Sequence, residues 1–136
     1  MIWGFQAALA LLAAQEPRWN CADPQTQSEM NACAAIDFER ADAELNAEYR
    51  AAIAHARASD REESGHRIEG DDRPADEATL REAQRAWIAF RDAHCRLEGY
   101  EARGGSMESM LYDGCRAALT RARTAQLRAP SAIGEQ

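Results

Sequence analysis

Residues 95–115 read CRLEGYEARGGSMESMLYDGC. Two cysteines flank the turn-forming Gly104-Gly105-Ser106, and the midpoint between them falls at Gly105. Two antiparallel helices joined at that turn would carry Cys95 and Cys115 to the same depth, where a disulfide can close. Upstream, Cys21 and Cys33 have their midpoint at Gln27, where a helix should begin. A segment folding back over that helix start brings Cys21 onto Cys33. Four cysteines allow three connectivities, and the geometry favours two local staples, Cys21–Cys33 and Cys95–Cys115. Staples imply an oxidising compartment. The alternatives are reduced, buried thiols or a zinc site; zinc is disfavoured because the chain has no C-x-x-C pair and the ligands would come from distant segments.

Around these cysteines the sequence is helical in pattern. Thr26-Gln27-Ser28-Glu29 has capping-box form. Met30, Ala34, Phe38, Ala41, Leu45, Tyr49, Ala52, Ile53 and Ala56 then recur at a spacing that keeps them on one face at about 100° per residue. With no Gly or Pro to interrupt it, helix 1 is predicted from about Gln27 to Ala58. Residues 59–75, SDREESGHRIEGDDRPA, are charged and glycine-containing and predict a solvated connection. Helix 2 starts between Pro74 and Thr79, with Thr79-Leu80-Arg81-Glu82 as a second capping box. Leu80, Ala83, Trp87 and Cys95 line its inner side, flanked by Ile88 and Phe90. It ends between Gly99 and Gly105. Ser106 is placed to cap helix 3, which carries Met107, Met110, Leu111, Cys115, Ala118, Leu119 and Ala122 and stops by Pro130. No β-alternation is present. The expected fold is all-α: a small disulfide-stapled bundle of about three main helices with a long charged connection between the first two.

The chain has 136 residues and a net charge of −7, and all 16 basic residues are Arg. The length suits one domain. The acidic balance argues against nucleic acid and anionic membranes and is compatible with a cationic partner. Residues 5–14, FQAALALLAA, are too short to span a bilayer, which needs roughly 20 residues, and fit the apolar core of a secretory signal. No Lys or Arg precedes the run, and the small-residue cleavage pattern near Ala13 and Ala14 is weak. A helix packed on the domain is the other reading. Arg18-Trp19-Asn20 before Cys21 does not resemble the small-residue motif of a lipid-anchored protein, so no stable membrane anchor is expected. The implied organisation is a signal peptide and lead-in over 1–20, a helical domain over 21–128 and a tail over 129–136, with a periplasmic or secreted product.

Arg91 is nearly central on the inward face of helix 2, with Gln84 and Trp87 close by. A buried arginine requires a partner, because an unpaired buried charge is very costly. Helix 1 offers Asp42 and Asn46 at the edge of its apolar face and Asp37 on it. Asp42 is the first-choice partner and Asp37 the second. Asp42, Asn46, Gln84 and Arg91 thus form an expected polar clamp that sets helix register, among the core aromatics Phe38, Tyr49 and Trp87. Catalysis finds little support. Ser106 and Ser109 have no evident Ser-His-Asp arrangement, His94 neighbours a stapled cysteine, and the abundant carboxylates single out no acid–base pair. His55, His66 and His94 lie too far apart in the chain to suggest a metal. No enzyme activity, metal or cofactor is expected.

Three stretches carry a family resemblance. They are the run from Cys21 through Thr26-Gln27-Ser28-Glu29-Met30-Asn31-Ala32-Cys33 to Ala41-Asp42-Ala43-Glu44-Leu45-Asn46-Ala47-Glu48-Tyr49; Leu80 to Cys95, with its A-Q-x-x-W-x-x-x-R-D-x-x-C pattern; and Gly105-Ser106, Cys115, Thr120, Arg123 and Leu127. Together they resemble the LprI-type lysozyme inhibitor domain over about residues 21–128. The resemblance implies a small, helical, disulfide-containing, exported bacterial domain, and one branch of the family is associated with inhibiting lysozyme. It supplies no catalytic residues. The expected function is protein binding, with a cationic lysozyme or another envelope protein as partner, through the loop 59–75 or 103–106. The alternative is an envelope interaction or structural module without inhibitory activity.

Overall fold

The computed structural model describes residues 18–66 and 68–128. The apolar run 5–14 and the tail 129–136, including Pro130, lie outside the described residues. Three α-helices follow in order, α1 (Gln27–Glu63), α2 (Asp76–Gly99) and α3 (Glu108–Arg128), with a single 3-10 turn at Tyr100–Ala102. The described residues contain no strand, and the fold is an all-α bundle. Its direction is up-down-up. Asp42 meets Arg91 and Arg57 meets Glu77, so α2 runs antiparallel to α1. Asn31 meets Ser106 and Glu48 meets Arg128, so α3 runs parallel to α1.

The α1 start follows from Thr26, whose hydroxyl accepts from the Glu29 N–H at 3.2 Å. The reciprocal arm falls one residue earlier than the capping pattern places it, because the Glu29 carboxylate accepts from the Gln25 N–H at 2.6 Å. The apolar face of α1 is as the periodicity predicts, with Ala41, Leu45, Ile53 and Ala56 buried. The helix does not stop at Ala58 but continues to Glu63. Arg61, Glu62 and Glu63 are good helix formers, and Asp60 acquires a use that only tertiary structure reveals. Its two carboxylate oxygens accept from the Asp76 and Glu77 N–H groups, at 2.7 and 3.1 Å. The α2 N-terminus is therefore capped by a side chain of α1, and its own preceding residue, Ala75, makes no side-chain cap. The Thr79 hydroxyl donates instead to the Pro74 carbonyl at 3.4 Å.

Helices α2 and α3 depart further from the apolar pattern. Ala83, Ile88 and Phe90 of α2 are exposed, and its buried positions are Gln84, Arg91, Cys95 and Gly99. Met107 falls just before α3 and is exposed, as are Ala118 and Ala122 on the helix, whereas Ala117, Thr120, Thr124 and Leu127 are buried with Cys115 and Asp113. The inner stripe of α3 is thus rotated from the predicted one toward two threonines. Both hydroxyls find partners inside, since the Thr124 hydroxyl donates to the Thr120 carbonyl at 3.0 Å and the Thr120 hydroxyl accepts from Arg91 Nη1 at 3.2 Å. Hydrogen bonding makes such burial tolerable.

Gly104 joins the last two helices at φ +77°, a backbone conformation that L side chains avoid. The Glu108 carboxylate reaches back to its N–H at 2.6 Å. Ser106 contributes its backbone carbonyl, which accepts from Asn31 Nδ2 at 2.8 Å, and α3 begins at Glu108. The structure joins Cys21 to Cys33 and Cys95 to Cys115, with Cα–Cα separations of 5.5 and 5.4 Å. The first staple closes the lead-in onto the α1 start, and the second ties α2 to α3 near their shared turn.

Candidate functional site

Between the three helices runs a half-buried column of alternating aromatic rings and guanidinium groups, with Arg91 its buried member. Helical spacing builds it: α3 supplies Tyr112, Arg116, Thr120 and Arg123 on one side, α2 supplies Trp87 and Arg91 four residues apart, and α1 supplies Phe38. Arg116 lies 4.2 Å from the Tyr112 ring centroid and 3.8 Å from that of Phe38. Arg91 lies 5.1 Å from both Phe38 and Trp87, and Arg123 lies 5.9 Å from Trp87. The weakly hydrated guanidinium plane suits this stacking in a way an ammonium does not, and every basic residue of the chain is an arginine.

The rims of these guanidinium groups are paired. Arg91 donates through Nε to Asp92 at 2.9 Å, and through Nη1 to Asp42 at 3.4 Å and to the Thr120 hydroxyl at 3.2 Å. Asn46 Nδ2 donates to the other Asp42 oxygen at 3.3 Å. Arg123 donates to Gln84 Oε1 at 3.0 Å and to Gln126 at 3.2 Å. Burial without a carboxylate contact holds its pKa below the ordinary arginine value. Arg116 pairs with Asp113, while its Nε, buried between rings, has no hydrogen-bond partner among the described residues.

The sequence-predicted clamp residues therefore meet, but in two branches. Asp42, Asn46 and Arg91 form one, and Gln84 joins the other through Arg123. Asp37, the second-choice partner for Arg91, is instead on the surface with Arg121, whose Nη1 donates to it at 3.0 Å. Those hydrogen bonds and the Arg121 charge lower the Asp37 pKa. Phe38, Tyr49 and Trp87, expected in the core, are half-buried; the Phe38 and Trp87 faces are shared with arginine side chains. The sequence reading missed Asp92, Arg116 and Thr120 as members. The available signal was the spacing of Tyr112, Arg116, Thr120 and Arg123 along one face of α3. The column links side chains of all three helices. It presents arginine–aromatic planes and paired carboxylates, an arrangement suited to rigidity rather than to proton transfer or nucleophilic attack.

Two concavities open beside this centre. One, of about 860 Å³, lies where the start of α1, the end of α2 and the 103–106 turn converge, and is lined by Asn31, Asp92, Arg96, Ser106, Ser109 and Tyr112 among others. The second, of about 990 Å³, lies at the opposite end, around the loop between α1 and α2. Asp60, Glu63, Asp71, Asp72, Asp76 and Glu82 line it, with Arg73 and His66. Arg73 is tied to Asp71 by hydrogen bonds of 2.8 and 2.6 Å, which lower the Asp71 pKa to about 2. His94 stands outside both, stacked on Phe90 with ring centroids 5.3 Å apart.

No described helix is long and apolar enough to cross a membrane. No solved structure matches the chain. A protein of Rhizobium meliloti (strain 1021), named Uncharacterized protein R02472, is 50% identical over 115 residues, spanning 85% of this chain and 81% of the relative. The family model described as Lysozyme inhibitor LprI matches residues 20–127, which include both staples and the whole arginine–aromatic column. The chain belongs to the LprI lysozyme inhibitor family.

Proposed function

We propose that this protein is an exported binding domain that inhibits a cationic lysozyme by direct contact. The observation that carries this reading is family membership over residues 20–127. The two disulfides agree with an extracytoplasmic site of action. The acidic concavity between the end of α1 and the start of α2 is the contact surface that charge favours. It gathers six carboxylates against Arg73, whose charge is already engaged by Asp71. Complementary charge of this kind accelerates encounter with a basic partner and makes binding salt-dependent. The scaffold is stapled and its centre is locked by the arginine–aromatic column, so little ordering is needed on binding.

A titration of lysozyme activity with the purified, oxidised protein tests the reading. Dose-dependent inhibition that weakens with added salt is expected. Neutralising Asp72 and Glu63 together, as Asp72→Asn and Glu63→Gln, should weaken inhibition while leaving the melting temperature nearly unchanged. Full lysozyme activity at large molar excess, with no complex at low salt, would replace this function with a non-inhibitory envelope interaction module.

A further inference from the structure

We propose that the Cys95–Cys115 staple is exchangeable for a zinc ion, which the reduced chain holds through His94, Cys95, Glu98 and Cys115. The two cysteines are joined in the structure, so the site belongs to the reduced protein. A ring nitrogen of His94, a carboxylate oxygen of Glu98 and the Cys115 sulfur all lie within 4.8 Å of one another. The Cys95 sulfur is bonded to that of Cys115 and stands beside it. In the sequence Cys115 is remote from the other three, and the hairpin of α2 and α3 closes that gap. At about 2.0–2.3 Å from a tetrahedral zinc, ligand atoms stand roughly 3.3–3.8 Å from one another. His94 and Glu98 are exposed, and rotation of their side chains covers the difference.

These four residues are the parts of a structural zinc site. Two thiolates, an imidazole and a carboxylate suit zinc, and four protein ligands close the tetrahedron. His94 and Glu98 are four residues apart on α2 and so share a helix face. Neither forms a salt bridge among the described residues. Cys95 and Cys115, at 0% and 8% exposure, supply the buried side of the site. His94 and Glu98 supply the open side, from which an ion enters. Opening the staple takes a dithiol, which gives two electrons and two protons to the Cys95–Cys115 bond and leaves as its own disulfide. Zinc then takes both sulfurs as thiolates, and their two protons pass to solvent. In either state α2 and α3 are tied at the same depth, so the crosslink outlasts the disulfide. The acidic concavity lies around the loop between α1 and α2, at the other end of the bundle, so the zinc site does not depend on the lysozyme reading.

Zinc titration of the full chain, reduced with a phosphine and compared with the oxidised protein, tests the proposal by calorimetry and thermal unfolding. Cobalt(II) in place of zinc reads the ligands, because tetrahedral thiolate coordination absorbs strongly in the visible. The reduced protein is expected to bind one zinc and to gain melting temperature. If reduction alone unfolds it, zinc should restore its helical circular dichroism. The oxidised protein should give no thiolate absorption with cobalt. His94→Ala and Glu98→Ala should each weaken zinc binding about tenfold or more, since even groups that only orient metal ligands are worth roughly 10–100-fold. Both should leave the melting temperature of the oxidised protein unchanged, which separates lost ligation from lost fold. Cys95→Ser with Cys115→Ser should abolish binding. Reduced protein that neither binds zinc nor refolds with it would overturn the proposal. So would binding that survives His94→Ala with Glu98→Ala, or binding that persists without Cys95 and Cys115 and so belongs to the other cysteine pair.

Discussion

Arg91 shows at the scale of one residue how a charge becomes part of a core. It is 6% exposed, yet its partner Asp42 keeps 38% side-chain exposure. Coulomb attraction to Asp42 is therefore partly screened, and the larger share of the stabilisation comes from stacking between Phe38 and Trp87 and from filling the volume between three helices. Arg91→Ala is expected to destabilise by about 2–4 kcal/mol through the cavity and the lost stacking. Asp42→Asn should cost under ~1 kcal/mol. Urea unfolding of the two variants decides between this ordering and a clamp dominated by the ion pair, for which the two losses would be similar. Asp37 makes a contrasting surface case. Its folded pKa lies below its ordinary value, through hydrogen bonding to Arg121 first. Its unfolded form thus binds the proton more readily. The stabilisation is fully present above the ordinary carboxylate pKa and is lost as pH falls through the lowered folded value. With both side chains about half exposed, Asp37→Asn should cost under ~1 kcal/mol near neutrality. The difference from the parent protein should vanish in strongly acidic solution, as followed by thermal unfolding across pH.

At the scale of the element, α2 depends on α1 for its beginning. The N-terminal N–H groups of a helix lack intrahelical partners, and Asp60 satisfies two of them from another helix while adding negative charge at the positive end of the dipole. Asp60→Ala is expected to cost about 1–2 kcal/mol and to speed hydrogen exchange at the Asp76 and Glu77 amides. Thr79→Ala, at the position favoured by local pattern, should cost under ~0.5 kcal/mol. Equal losses at the two sites would refute the transferred cap. The other end of α2 is limited by close approach. A Cβ added at Gly99 would stand 3.3 Å from the Glu108 carbonyl oxygen and 3.5 Å from Tyr112 Cβ, so the absence of a side chain there lets α2 meet the start of α3.

Over the whole molecule, a modest apolar core is supplemented by covalent links. Among the described residues the buried hydrophobic positions are few and include five alanine or leucine residues of α1 and α3 at 1–7% exposure, namely Ala41, Leu45, Ala56, Ala117 and Leu127. The staples close loops of 12 and 20 residues, and each is expected to contribute on the order of 2–4 kcal/mol by restricting the unfolded chain. Replacing Cys95 and Cys115 together by Ser should destabilise at least as much as replacing Cys21 and Cys33, because the longer loop loses more entropy when closed. Guanidinium unfolding of the two double variants measures the order, and peptide mapping without reductant checks the pairing. A much larger loss at Cys21–Cys33 would mean that this staple holds native contacts beyond the chain entropy it removes.

Local chemistry was sufficient for the helices themselves. The Thr26 cap, the unbroken apolar stripe of α1 and the Gly104 turn each act through residues close in sequence, and their outcome was legible before any tertiary contact. Disulfide geometry could be anticipated because a turn with symmetric flanks brings equidistant residues together. The inner faces of α2 and α3 were not legible in the same way. Hydrophobic periodicity assumes that burial follows apolar character. Here Gln84, Arg91 and Thr120 are buried because partners on other helices satisfy them, Thr124 is buried with its hydroxyl on the Thr120 carbonyl of its own helix, and Phe90 and Leu97 are left outside. The continuation of α1 to Glu63 and the capping role of Asp60 have the same origin. A side chain whose partner lies on another element has no signature in its own neighbourhood, so only the packing of the three helices decides where it points and what it does.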